Sequence, residues 1–206
     1  SENSSLGLET QSYQRLFQMK TGASQQMEVN MNAGSSFVYL PHPVVPHEDS
    51  KFTSRNKIFM SGQCSLVWGE VLTCGRKLNG EAFCFSSYHN ITEIFLQGRL
   101  VVKENLLIQP GMFDPSSIGQ LEGFTHQATL IIAGEQIAVK QMIEEMRRAL
   151  VVESKTVFGV SELPVNGLIV RILGSKAEQL FELIKKLALP GNAITEKKKL
   201  LHEYAS

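Results

Sequence analysis

EAFCFSSYHNITEIFLQGRLVVKENLLI, residues 81–108, decides the fold class. Three runs within it, 81–88, 91–97 and 99–108, are short and dense in Phe, Ile, Val, Leu and Thr, as strands are. Gln97-Gly98 supplies a reversal between the last two. Segments 27–31, 36–40, 52–60, 63–74 and 124–133 share this character, with Gly, Pro, Asn, Asp and Ser as punctuation. Asn79-Gly80 falls between two such runs and is the strongest local hairpin signal, because a type I′ turn needs positive φ at both central residues. From 109 to 123, Pro110-Gly111, Asp114-Pro115-Ser116-Ser117 and two more glycines mark a long irregular connection, the kind that is usually functional or partner-facing.

The carboxy-terminal third changes period. From Glu135 to Leu150, apolar Val139, Met142, Ile143, Met146, Ala149 and Leu150 recur at helical spacing, with Glu144, Glu145, Arg147 and Arg148 on the outer face. A second helix is expected to start at a Ser175 cap, completed by Glu178 as a capping box, and to stop at Pro190-Gly191. Ala177, Leu180, Phe181, Ile184 and Leu187 line its apolar face. Between the helices, Thr156–Val160 and Leu168–Leu173 read as strands around a turn at Pro164 and Asn166-Gly167. The expected fold class is mainly β: a β-rich sandwich or stacked-sheet domain with two α-helices in the carboxy-terminal third. Residues 1–206 form one domain in this reading, with a β-rich body (1–133), a helix-strand-strand-helix part (134–190) and a tail (191–206).

Twenty basic and twenty acidic residues leave no surplus for phosphate binding, which argues against nucleic acid as the main partner. No apolar run is long enough to span a bilayer, and the opening Ser1-Glu2-Asn3-Ser4-Ser5 does not read as a signal peptide, so the expected location is cytoplasmic. The absence of Met at the start reads as processing or truncation. Cys64, Cys74 and Cys84 lack CxxC spacing. Ten residues along a strand is roughly 33 Å, so the first two cannot share a metal on an unbroken strand. All three are expected to be buried structural thiols.

Leu40-Pro41-His42-Pro43-Val44-Val45-Pro46-His47-Glu48-Asp49 is the most unusual local stretch. Its prolines impose an extended path lacking several N–H donors. His42 and His47 bracket it and are candidate metal ligands, imidazole and carboxylate both suiting a divalent cation such as Ni²⁺, although a shared chelate needs a turn at Pro46. The alternative is an edge segment with surface histidines. Arg76 and Glu81 flank the Asn79-Gly80 turn and read either as a cross-strand ion pair or as a polar pair lining a passage or interface. GxSxG, HExxH and P-loop patterns are absent, and no two of the five histidines have i,i+4 spacing, so no enzyme is expected.

Several fragments together resemble the UreD (UreH) urease accessory family. They are Thr10-Gln11-Ser12-Tyr13, Tyr39-Leu40-Pro41-His42-Pro43-Val44-Val45-Pro46, Gly75-Arg76, Gly80-Glu81-Ala82-Phe83, Gly123-Phe124, Gly159-Val160-Ser161 and Val170-Arg171-Ile172-Leu173-Gly174, in the family's order. Relatives usually carry several tens of residues before the Thr-Gln segment, so the amino-terminal part of the family pattern is expected to be absent. Two departures stand out: relatives often end the last helix on Trp and Arg, and often place uncharged residues where His42 and His47 stand. The resemblance implies a mainly β fold with two helices and a non-catalytic scaffold for urease maturation and nickel insertion. It implies a complex with UreF-like and UreG-like (GTPase) accessory proteins docking on apo-urease, with no tightly bound cofactor and transient Ni²⁺. It singles out Gln11, Pro43, Arg76, Glu81 and Arg171 as structural or passage-lining positions. Two other readings stay open at this level: a β-rich protein-binding module of unrelated function, and a metal-dependent hydrolase.

Overall fold

A computed structural model describes residues 2–188, apart from 136 and 154. Among these residues, eight strands form a first sheet: β1 (Ser5–Leu8), β2 (Gln14–Leu16), β4 (Ser36–Tyr39), β5 (Val44–Pro46), β7 (Ser65–Thr73), β10 (His126–Gly134), β11 (Val157–Glu162) and β12 (Gly167–Gly174). Four form a second: β3 (Ala23–Met31), β6 (Lys51–Met60), β8 (Ser87–Leu96) and β9 (Arg99–Ile108). Helix α1 (Val139–Val151) and helix α2 (177–188) complete the described architecture, which is mainly β with both helices in the carboxy-terminal third.

The chain winds between the sheets rather than folding into successive hairpins. In the first sheet, β1, β4 and β7 are parallel neighbours; in the second, β3, β6 and β8 are parallel neighbours running the opposite way. Each circuit therefore crosses from one sheet to the other at either end. The later strands β10, β12 and β11 extend the first sheet in antiparallel fashion from β7, in the order β7-β10-β12-β11.

This winding corrects the hairpin expected at Asn79-Gly80. Strand β7 pairs with β4 and β10, whereas β8 pairs with β6 and β9, so 74–86 is a crossover. Lys77–Asn79 is a short 3-10 turn; Gly80 takes a positive φ of 83°, and Asn79 does not. The run 81–86 is not strand. It bends under the crossover and delivers Phe83 and Phe85 to a third apolar cluster with Leu16, Phe52, Leu72, Tyr88, Ile108 and Leu121. Gly75 starts the crossing at φ 117°, where a Cβ would lie 2.8 Å from the Pro46 carbonyl oxygen, so only glycine fits. The two-residue hairpin is instead Gln97-Gly98, whose φ values of 50° and 79° suit the type I′ twist between β8 and β9.

Alternation then sorts side chains into layers. On β7, Val67 and Val71 face the helices, while Leu66 and Trp68 face the second sheet. The helix layer packs Met142, Met146 and Leu150 of α1, and Leu180, Ile184 and Leu187 of α2, over Leu130, Ile132, Leu168, Val170 and Ile172. The inter-sheet layer joins Phe37, Trp68, Ile131 and Ile169 to Met31, Ile58, Met60 and Ile94.

Helix α2 starts later than expected. The Leu180 amide donates to the Lys176 carbonyl at 3.3 Å, which makes Lys176 the cap residue in place of Ser175. Glu178 does not close a capping box; its carboxylate accepts from the Tyr13 hydroxyl at 2.8 Å. The expected stop at Pro190-Gly191 and the tail lie outside the described residues.

Candidate functional site

Strand parity puts polar residues inside the sandwich. The inward positions of β6 read Phe52, Ser54, Asn56, Ile58 and Met60, and those of β8 read Tyr88, Asn90, Thr92 and Ile94. Pairing aligns Asn56, Thr92 and Glu104 in one row across the second sheet. Opposite them, Glu70, Thr129 and Arg171 align in one row across the first sheet. Apolar layers close this polar belt on both sides: Phe52 and Tyr88 on one, Ile58 and Ile94 on the other.

The belt is hydrogen-bonded from sheet to sheet. The Asn90 amide donates to the Glu70 carboxylate at 2.8 Å, and the Asn56 amide donates to Asn90 Oδ1 at 3.2 Å and to Thr92 Oγ1 at 3.1 Å. Ser54 Oγ donates to Asn56 Oδ1 at 3.4 Å. At the other end, one Arg171 guanidinium nitrogen donates to both Glu104 oxygens, at 2.6 and 2.7 Å. Burial pushes the Glu70 carboxyl up to about 7; the Asn90 bond works against that rise, and the Glu104 charge adds to it. Burial likewise raises Tyr39 to about 12 and lifts Tyr88 well above its ordinary value, so both hydroxyls beside Glu70 stay protonated.

Each end of the belt opens. Glu70 keeps some surface in a crevice of about 20 Å³, whose wall also includes Gln14, Gln25, Tyr39, His42 and Asn90. Arg171 borders a groove of about 520 Å³ between β9 and β11, with Asn105 and Gln127 in its lining.

The two candidate histidines part company. His42 lies in the crevice with Glu70, its ring against Phe181 at 4.7 Å and Tyr13 at 6.1 Å, and its Nδ1 is 3.3 Å from Thr10 Oγ1. His47 lies beyond β5, stacked edge-on against Phe17 at 4.9 Å, with Nε2 lacking a partner. Burial and then the Arg76 charge lower its pKa. Among the described residues, no three His, Cys, Asp or Glu side chains converge into a cluster fit for a metal.

The remaining expected positions are distributed over the fold. Arg76 and Glu81 form an ion pair through the crossover turn rather than across a ladder, and Glu81 also accepts from the Glu48 amide at 3.3 Å. Gln11 is exposed in the bend between β1 and β2, and Pro43 is buried, its carbonyl accepting from the Gln14 amide at 3.1 Å. Cys64 and Cys74 are buried, but Cys84 is exposed, which corrects its expected burial; the 81–86 crossover turns that side chain outward.

Of the positions singled out from sequence, Arg171 lies in the belt and His42 at its mouth. Glu70, Asn56, Asn90, Thr92 and Glu104 were missed. Parity carried the signal: Ser54 and Asn56 share the register of Phe52, Ile58 and Met60, and Asn90 and Thr92 share that of Tyr88 and Ile94.

No described helix is long and apolar enough to cross a membrane. Comparison with known proteins then agrees with the motif series. The family model for UreD urease accessory protein matches residues 1–202. A urease accessory protein UreD from Flavobacterium johnsoniae is 49% identical over 185 residues, covering 89% of this chain and 67% of the relative. The protein of the same name from Acetivibrio thermocellus is 34% identical over 179 residues, covering 86% and 68%. That of Actinobacillus pleuropneumoniae is 32% identical over 191 residues, covering 90% and 71%. A family-model match across nearly the whole chain and a relative 49% identical over most of it place this protein in the UreD family of urease accessory proteins.

Proposed function

We propose that the chain is a non-catalytic scaffold of urease maturation that helps deliver Ni²⁺ to apo-urease, in complex with UreF-like and UreG-like accessory proteins in the cytoplasm. The observation that carries this reading is the polar belt through the sandwich, with Glu70 at its crevice end and His42 in the same crevice. Carboxylate, imidazole, amide oxygen and hydroxyl are all donors that suit a divalent first-row cation. They are spread along the belt instead of gathered into a cage, and a cargo ion needs such weak, serial sites if it is to leave again. A carboxyl that keeps its proton up to about 7 accepts a cation only by releasing that proton, which loosens the hold further. The Arg171–Glu104 pair lines the groove end of the same belt and fixes the two sheets there. His47 lies outside the belt, beyond β5, where it feels both the Arg76 and the Glu81 charge.

The test is urease co-expressed with its accessory proteins and either Glu70→Leu or His42→Ala in this chain. Elemental analysis of the purified urease is expected to show a severalfold loss of nickel, while the variant scaffold still co-purifies. Full nickel loading with both variants overturns the reading.

A further inference from the structure

The winding of the chain makes the two ends of the sandwich unlike. At one end the connections are tight: 32–35, 61–64, 97–98 and 163–166, tied by bonds such as Gln97 amide to Met60 carbonyl at 2.9 Å. The other end gathers 17–22, 47–50, 74–86, 109–125 and 175–176. The registers place them together, since Leu16 pairs with Pro46, Lys51 with Ser87, Tyr88 with Ile108, and His126 with both Thr73 and Gly174. Cross-bonds join these loops: the Asp49 amide to the Cys84 carbonyl at 3.0 Å, Lys77 Nζ to Thr125 Oγ1 at 3.4 Å, and the Thr125 amide to the Gly174 carbonyl at 3.1 Å.

Large apolar side chains crowd this end without cover. Phe17, Leu78, Met112, Phe113 and Ile118 are all exposed, Leu78 and Ile118 almost completely. Hydrophobic groups so placed cost solubility unless something covers them. Phe17 and Leu78 line a cavity of about 690 Å³ whose charged lining is mostly cationic: Arg15, Arg76, Lys77 and Lys176 against Glu178. Glu178 is already engaged by Tyr13, and Arg76 by Glu81. Among the described residues, Arg15 and Lys176 form no ion pair. The amino-terminal end of α2 abuts the same cavity through Ala177, the Lys176 cap and the preceding Ser175, adding the positive end of a helix dipole. His47, only 8% exposed, lines it with Nε2 unpartnered.

We infer that this loop-bearing end docks a partner polypeptide that presents an acidic side chain flanked by apolar residues. The carboxylate enters the cavity between Arg15 and Lys176, and the flanking residues cover Leu78 and Phe17. Charge complementarity selects the acidic partner, and the uncovered apolar rim selects a protein over a small free anion. This inference rests on the scaffold reading and adds the surface and the chemistry of its partner.

The experiment is a pull-down from cells that co-express the tagged full chain with urease and its accessory proteins. Leu78→Asp and the double variant Arg15→Glu/Lys176→Glu probe the loop-bearing end, and Leu100→Asp, an exposed position at the tight end, is the control. Each variant is checked for wild-type circular dichroism and melting. Retention of one partner is expected to fall at least tenfold with either loop-end variant, to stay unchanged with Leu100→Asp, and to survive Arg15→Lys. Full retention by both loop-end variants overturns the inference and leaves the scaffold reading standing. If the wild-type chain retains no partner, the scaffold reading fails and the inference falls with it. Loss with Leu78→Asp but not with charge reversal overturns the carboxylate assignment.

Discussion

Glu70 is the residue at which stability and proposed function meet. Its ordinary pKa is 4.5, and burial in the folded chain raises it to about 7. Below 4.5 both folded and unfolded states hold the proton, and the residue costs nothing. Between 4.5 and 7 the unfolded chain has released a proton that the folded chain retains, so stability falls as pH rises through that window and levels off above it. The full cost is about 3 kcal/mol. His126 has the opposite sign. Burial first, and then the Lys77 charge, lowers it to about 4, so its contribution is present above 6.5 and is lost as pH falls toward 4. The Glu70 contribution is therefore read as a difference. Urea unfolding of wild type and Glu70→Gln across pH 4.5 to 8 is expected to show the variant gaining relative stability as pH rises. Parallel pH profiles for the two proteins would remove the buried-carboxylate account.

The elements owe their positions to turns whose chemistry only partly announced itself. Gln97-Gly98 and Asn79-Gly80 look alike as sequence, and the second is the stronger hairpin signal. The first joins neighbouring strands of one sheet; the second sits in a crossover, where a 3-10 turn suffices. A substitution pair separates the two roles. Gly98→Ala meets no neighbour within 4 Å, so its cost is the left-handed backbone alone, about 1–2 kcal/mol. Asn79→Ala is expected to stay within about 0.5 kcal/mol, because Asn79 is exposed and outside the left-handed region. Thermal or urea unfolding of the two variants checks both. A larger loss from Asn79→Ala than from Gly98→Ala would contradict the observed topology. The helices were legible for a different reason. The spacing Val139, Met142, Ile143, Met146 and Leu150 is a local property, and it is the face that α1 buries.

The whole molecule is three layers sharing one central strand set. Val67 and Val71 of β7 belong to the helix layer, and Leu66 and Trp68 of the same strand belong to the inter-sheet layer, so neither layer can open without disturbing β7. Trp68, 1% exposed and the lone tryptophan of the chain, reports on the inter-sheet layer, and ellipticity at helix wavelengths reports on α1 and α2. Denaturation followed by Trp fluorescence and by circular dichroism is expected to give coincident curves. Separate midpoints would mean that the helix layer and the sandwich unfold independently.

By itself the sequence determined the mainly β class, the two helices, the long irregular connection at 109–123 and, through its ordered motifs, membership of the UreD family. These rest on period, composition and short fragments, which nearby residues decide. Tertiary structure decided which sheet each strand joins and therefore what the strands enclose. Parallel partners such as β6 and β8 lie a full circuit of chain apart, so no local turn encodes their pairing. Glu70, Asn56, Asn90 and Glu104 are unremarkable strand residues along the chain. They become a belt only when two registers, one in each sheet, bring their rows face to face, because a carboxylate's environment is set by what folds over it.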